Sequence, residues 1–313
     1  GAARSQLMIG LRSRVLVLAV LLATPADAID TFTREGIVSG VRSTAEACAR
    51  HGDTAVWVEV DGRGDCIRYF HAGLRAANDL VHVWFHGDRL RRIAPGYWKP
   101  NGYGGESADQ QQAEADAYYR GGRIPYVHFS RPGTYGSSGF HGDRRQERNV
   151  ELVLAAIDAI KQRHRIGRFA FSGQSGGGHL VGALLANRND IACAVATSGA
   201  LAVAHRVWAR GWNADATGHE TFYDPIDYVD RIPADPRRRI FIVGDPDDSN
   251  VPFSGQHEYY RRVKALGHAV ELIRANGGGS ENHSLAFEGF RIVEQCVRGV
   301  PTAEIGRSVR YRE

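Results

Sequence analysis

Short apolar runs alternate along the chain with longer stretches whose apolar positions recur every three or four residues. The runs at 54–60 and 66–70 flank the turn Asp61-Gly62-Arg63-Gly64 and read as two early strands. Residues 80–85 form a third. Ser107 suits a helix N-cap, and the spacing predicts a helix over 107–120. A strand follows at 124–129, then the turn-rich segment Arg131-Pro132-Gly133-Thr134-Tyr135-Gly136-Ser137-Ser138-Gly139. Val150, Val153, Leu154 and Ile157 repeat at helical spacing and predict a helix over 149–161. A short strand at 169–171 enters a Gly-rich turn and the helix 178–186. Continuous apolar strands are expected at 191–197 and 240–243. Val263 and Leu266 lie on a helix ended by Gly267, and the last pair is a strand at 270–273 and a helix at 285–297.

Strands that are apolar throughout and separated by helices belong to a mostly parallel central sheet with helices on both faces. The expected fold class is therefore α/β, with one domain over 29–313 and a small insertion, at about 200–236, before the strand at 240–243. In such sheets the chemistry sits beyond the carboxyl ends of the strands, so the residues that follow each strand carry the functional reading.

The N-terminus adds a compartment. Met8 opens a short basic stretch with Arg12 and Arg14, followed by an apolar run over 15–23 and the small-x-small end Ala26-Asp27-Ala28. That is the form of a secretory signal peptide over 1–28, started at Met8, and the apolar run is shorter than the roughly 20 residues of a membrane span. No other stretch is long and charge-free enough to span. Export makes disulfides the expected state of the four cysteines. Cys48 and Cys66 are close in sequence, which leaves Cys193 and Cys296 as the second pair. No cysteine or histidine spacing suggests a metal, and no cofactor is expected. The formal charge of +4, about +2 without the leader, is too small and scattered for nucleic acid and suits small neutral substrates.

After the strand at 169–171 comes Ser172-Gly173-Gln174-Ser175-Gly176-Gly177-Gly178. This is Gly-x-Ser-x-Gly in strand–turn–helix context, with Gly173 and Gly177 as the flanking glycines of a nucleophile elbow and Ser175 as the nucleophile. The following turn has no Lys, which argues against a phosphate loop. A serine needs a base, and the base an orienting acid, in the chain order Ser, acid, His. The turn after 240–243 offers Asp245, Asp247 and Asp248. Asp247 is the first choice and Asp248 the second; Asp245, before Pro246, is expected to cap the turn. His283, in a Gly-rich loop after the last strand, is the expected base, with His268 on the surface and His179 either in packing or behind the residues of the site. The oxyanion hole takes the backbone N–H groups of Gly176 and of Asp88, in the loop His86-Gly87-Asp88 after the third strand. Trp208, Trp212, Phe222 and Tyr223 in the insertion, and Tyr97, Trp98 and Tyr103 after His86, either line a pocket or pack the loops that carry them.

These residues resemble the α/β-hydrolase superfamily from about 56 to 297. The run Asp224-Pro225-Ile226-Asp227-Tyr228-Val229-Asp230-Arg231-Ile232, then Val251-Pro252-Phe253, Gln256, Tyr260 and Leu266-Gly267-His268, is most similar to the catalytic domain of prolyl-oligopeptidase-type serine peptidases. The resemblance implies a Ser175–Asp247–His283 triad, although the turn holds one residue more between Asp247 and Val251 than that pattern has. It implies a serine hydrolase cleaving a carboxylic ester or a small amide or peptide bond through an acyl-enzyme, and the leader makes it an exported one. The substrate would be a small ester or short peptide, with no nucleic acid and no stable membrane span. The alternative is a catalytically inactive binding protein that keeps the fold.

Overall fold

The computed structural model describes residues 32–312, so the leader expected at 1–28 lies outside the described residues. Two short helices, α1 (Arg34–Ser39) and α2 (Ala45–Ala49), lead into the hairpin of β1 (Ala55–Val60) and β2 (Arg63–Ala72). Strand β3 (Asn78–Phe85) precedes a separate two-stranded hairpin, β4 (Leu90–Ala94) and β5 (Tyr97–Pro100). Helix α3 (Ala108–Gly122), strand β6 (Tyr126–Phe129) and helix α4 (Glu147–Arg163) follow. Then come β7 (Ile166–Gln174), α5 (Gly176–Asn187), β8 (Ile191–Thr197) and α6 (Val203–Ala209). The chain closes with β9 (Arg239–Gly244), α7 (Phe253–Ala265), β10 (Val270–Arg274), α8 (Ala286–Val297) and α9 (Thr302–Ser308).

The main sheet has the order β1-β2-β6-β3-β7-β8-β9-β10. Strand β2 runs antiparallel to β1 and β6, and every pairing from β6 to β10 is parallel. Side chains alternate across the pleat and build two cores. Phe169, Phe171, Ala194 and Ala196 face one side, where Leu152 and Ile157 of α4, Leu180 and Leu184 of α5 and Val263 of α7 cover them. Ala170, Cys193 and Val195 face the other, under Ile292 and Val293 of α8 and Ile305 of α9. Both faces are therefore dry, which is why these strands read as continuous apolar runs.

Ser107 caps α3, as the sequence predicts, and does so through a full capping box with Gln110. Both disulfides join the expected partners. Cys48–Cys66 ties α2 to β2, and Cys193–Cys296 ties β8 to α8. Among the described residues no helix is long and apolar enough to cross a membrane.

Candidate active site

Strand β7 ends at Gln174, and Ser175 stands between it and α5 with φ 56° and ψ −116°. A non-glycine residue in that region is strained and persists only where the surroundings fix it. They do so through backbone: the Ser175 N–H donates to the Thr197 carbonyl, and the Ser175 carbonyl accepts from the His179 N–H. The elbow is also crowded. A Cβ on Gly173 would meet the Gly177 carbonyl oxygen at 2.3 Å, and one on Gly177 would meet the Phe85 carbonyl oxygen at 2.0 Å. The two flanking glycines are thus required by close approach of α5 to β7 and β3.

His283 lies in the loop between β10 and α8, and its Nδ1 is 2.7 Å from Asp248 Oδ2. The Asp248 side chain is fully buried, while that of His283 keeps 17% exposure. Asp248 Oδ1 accepts from the backbone N–H groups of Asn250 and Val251. The expectation of Asp247 as the histidine's partner is therefore corrected to Asp248. The cause is the turn itself: the Asp248 N–H bonds to the Asp245 carbonyl, which folds Asp248 inward and leaves Asp247 exposed. With Asp248 as the partner, the extra residue before Val251 disappears. Asp245 caps the turn as expected, accepting from the N–H groups of Asp247 and Gly277.

Gln174 holds the histidine loop to the sheet, a role no sequence motif marks. Its Nε2 donates to the His283 carbonyl at 2.6 Å, and its Oε1 accepts from the Leu285 N–H and the Thr197 hydroxyl. Ser175, His283, Gly87 and Asp88 all line one cavity of about 390 Å³. The Gly176 N–H opens α5 and has no helical partner, and neither it nor the Asp88 N–H donates to any group among the described residues.

The Asp88 carboxylate is occupied by an arginine network. Its Oδ1 accepts from Arg131, and its Oδ2 lies 2.8 Å from Arg144 Nε and 2.9 Å from Arg145 Nη1. Arg145 continues to the buried Asp215 at 2.8 Å. Burial alone would raise the Asp88 carboxyl, but the three guanidinium groups overrule it and hold the group well below the usual carboxylate range. The network pins the loop carrying the Asp88 N–H. It also presses Oδ1 to 1.9 Å from where a Gly176 Cβ would stand, so residue 176 admits no side chain in this arrangement. Nothing in the sequence pattern pairs Asp88 with residues 43 to 57 positions away.

The aromatic candidates divide. Trp212 lines a second cavity that adjoins the first through shared walls at Arg206 and Asn250. Trp208 and Tyr97 are exposed, and Tyr103 and Tyr223 are buried in packing. Trp98 packs edge-on against Phe140. His179 is buried and bonds through Nε2 to the Tyr223 carbonyl, a packing role as expected.

Sequence comparison matches no protein-family model and no curated protein. Solved structures do match. The esterase Pf2001 of Pyrococcus furiosus superposes with a TM-score of 0.56 at 14% identity, covering 84% of this chain and 93% of that one. The chain has the α/β-hydrolase fold. The acylaminoacyl peptidase of Pyrococcus horikoshii gives a TM-score of 0.55 at 14% identity, and its match covers 78% of this chain and 40% of the peptidase. Est1E of Butyrivibrio proteoclasticus, solved with ferulic acid bound, gives 0.53 at 15% identity, covering 78% of this chain and 98% of the esterase. The Ser175 turn, the turn after β9 through Asn250 and the His283 loop all border the cavity described above.

Proposed function

We propose that this chain is an exported serine hydrolase that cleaves a carboxylic ester or a small amide or peptide bond through an acyl-enzyme on Ser175. The observation that carries the reading is the 2.7 Å contact of His283 with the buried Asp248, in a loop whose imidazole shares a cavity with the strained Ser175. In this scheme His283 takes the hydroxyl proton as Ser175 attacks the carbonyl carbon. Asp248 holds the imidazole tautomer and stabilises the imidazolium. The N–H groups of Asp88 and Gly176 receive the oxyanion of the tetrahedral intermediate, where an aligned donor contributes about 3 kcal/mol to the rate. His283 then protonates the leaving group, and water resolves the acyl-enzyme by the same steps reversed.

The segment at about 200–236 forms a small cap in this reading, since Arg206, Trp212 and Ala216 border the cavities beside Ser175. Two disulfides support an oxidising compartment, in keeping with the leader. Structural neighbours include esterases and a peptidase, so both bond types stay within the proposal. The test is covalent labelling of the mature protein by a fluorophosphonate probe. Labelling of the wild type and its loss in Ser175→Ala are expected; a folded wild type that does not label is instead a binding protein on a hydrolase scaffold. A panel of acyl esters and aminoacyl amides then separates the two bond types.

A further inference from the structure

The overall charge is near neutral, yet the walls beside Ser175 are not. Arg91, Arg92, Arg206, Arg210 and Trp212 line a cavity of about 640 Å³, and Arg91 and Arg206 also line the cavity that holds Ser175 and His283. The carboxylates in the same walls offset these cations only in part. Asp215 is ion-paired to Arg145, and Asp88 to Arg131, Arg144 and Arg145. Glu281, the remaining acid of these walls, is hydrogen-bonded by the neutral Asn250 amide and is one carboxylate against four arginines.

Arg206 is the clearest case. It is buried to 8% exposure and bonds only neutral acceptors, the Asn250 carbonyl and side-chain oxygen. Burial and the nearby Arg145 push its pKa down to about 10 although Asp215 and Asp88 pull the other way, the mark of a cation buried without full compensation. Arg210 donates to the Ser249 carbonyl, and Arg206 and Arg210 lie over the Trp212 ring at 5.4 and 5.1 Å from its centroid. Arg91 and Arg92 pair through their backbones with Lys99 and Trp98 in the β4–β5 hairpin, which leaves their guanidinium groups to the cavity wall. Four guanidinium groups lining one cavity would repel one another unless an anion joins them, and the planar fork of arginine suits carboxylate, phosphate and sulfate oxygens alike.

We propose that the substrate carries an anionic group, held by Arg206, Arg210, Arg91 and Arg92 while its ester or amide carbonyl reaches Ser175. This deepens the hydrolase reading and rests on it. It replaces the small neutral substrate that the mean charge suggested with one bearing a carboxylate, phosphate or sulfate.

Two matched pairs of esters test it, one with the anion on the acyl side and one with it on the leaving group. These are mono-(4-nitrophenyl) adipate against its methyl-capped diester, and 4-acetoxybenzoate against its methyl ester. In one pair the wild type should favour the anionic member by about tenfold in kcat/KM, mainly through KM. Raising NaCl from about 0.02 to about 0.5 M should shrink that ratio. The double variant Arg92→Gln/Arg210→Gln should lower the ratio about fivefold or more, while Arg92→Lys/Arg210→Lys keeps most of it. A wild-type ratio near one in both pairs, or a ratio the Gln variant leaves unchanged, overturns the proposal. A second arm needs no turnover: Ser175→Ala protein titrated by NMR with monomethyl adipate and with dimethyl adipate. Tighter binding of the monoanion supports the subsite and equal binding rejects it, even if failed labelling has already removed the hydrolase reading.

Discussion

Asp248 accepts two backbone N–H groups and the His283 ring, so its carboxylate is fixed in place before any substrate arrives. Asp247 is one position away and exposed, and its link to the loop is a carbonyl that accepts a 3.4 Å bond from Asn282. The two residues separate cleanly in experiment. Asp248→Asn should keep the geometry but offer the imidazole the wrong partner, lowering kcat by about 10⁴-fold. Asp247→Asn should leave kcat within about twofold, since a surface carboxylate without a buried partner contributes little. Ester turnover by the two purified variants decides it, and the reverse ranking would return the acid to Asp247. The sequence could narrow the acid to this turn because a short Asp-Pro-Asp-Asp stretch after an apolar strand is visible in one dimension. It could not choose within the turn, because the choice is made by one backbone hydrogen bond to the Asp245 carbonyl.

At the scale of elements, the contact between α5 and β3 is the tightest demand at the site. Gly177→Ala would place a methyl 2.0 Å from the Phe85 carbonyl oxygen, so the helix must move off the strand. Overpacking of this kind costs about 3 kcal/mol, which in a domain of this size lowers the melting midpoint by roughly 6 °C or more. Fluorophosphonate labelling should slow in the same variant, because the elbow carrying Ser175 is displaced; unchanged melting and labelling would show that the helix yields freely. The disulfides make a second ranking. Cys193–Cys296 closes a loop of 103 positions and Cys48–Cys66 one of 18. In the chain-entropy account the longer loop contributes more, roughly 4–5 against 3 kcal/mol. Denaturant unfolding of the two paired Cys→Ala variants should show the larger loss for Cys193/Cys296. Most strands and helices were legible from periodicity because both faces of the sheet are dry and the helices are half wet. The hairpin β4–β5 was not: its residues are mostly exposed or half-buried, so it carries no apolar run to read. The Asp88 network escaped for a different reason. Arg131, Arg144 and Arg145 are ordinary surface residue types, buried here only because a distant carboxylate meets them.

For the molecule as a whole, burial of charge-capable groups sets how the fold responds to acid. Burial pushes His82 and His179 down to about 3 and His128 down to about 4, so all three are neutral in the folded chain at neutral pH. In the unfolded chain they protonate near pH 6.5. A folded pKa below the unfolded one means that the stabilisation is complete above about pH 6.5 and is lost as the pH falls toward the folded values. By pH 5 each of these histidines withdraws roughly 2 kcal/mol. Three of them together are comparable to the 5–15 kcal/mol stability of an ordinary domain. The carboxylates act in the same direction at lower pH. Burial would raise Asp88, but Arg144, Arg145 and Arg131 hold it well below its ordinary value, and Asp215 is lowered in the same way by Arg145. Their contribution is present above about pH 4 and is lost below it. The melting midpoint should therefore fall continuously from pH 7 to pH 5, before any carboxylate of this network titrates, and more steeply still below pH 4. His128→Gln isolates one proton of the first phase: His128 is buried with its Nε2 unpaired, so the amide can replace the ring and should reduce the slope between pH 6 and pH 5 by about 1.4 kcal/mol per pH unit. Calorimetry of wild type and variant across this range reads both quantities, and a midpoint that stays level from pH 7 to pH 5 would mean that the buried histidines are charged in the folded chain.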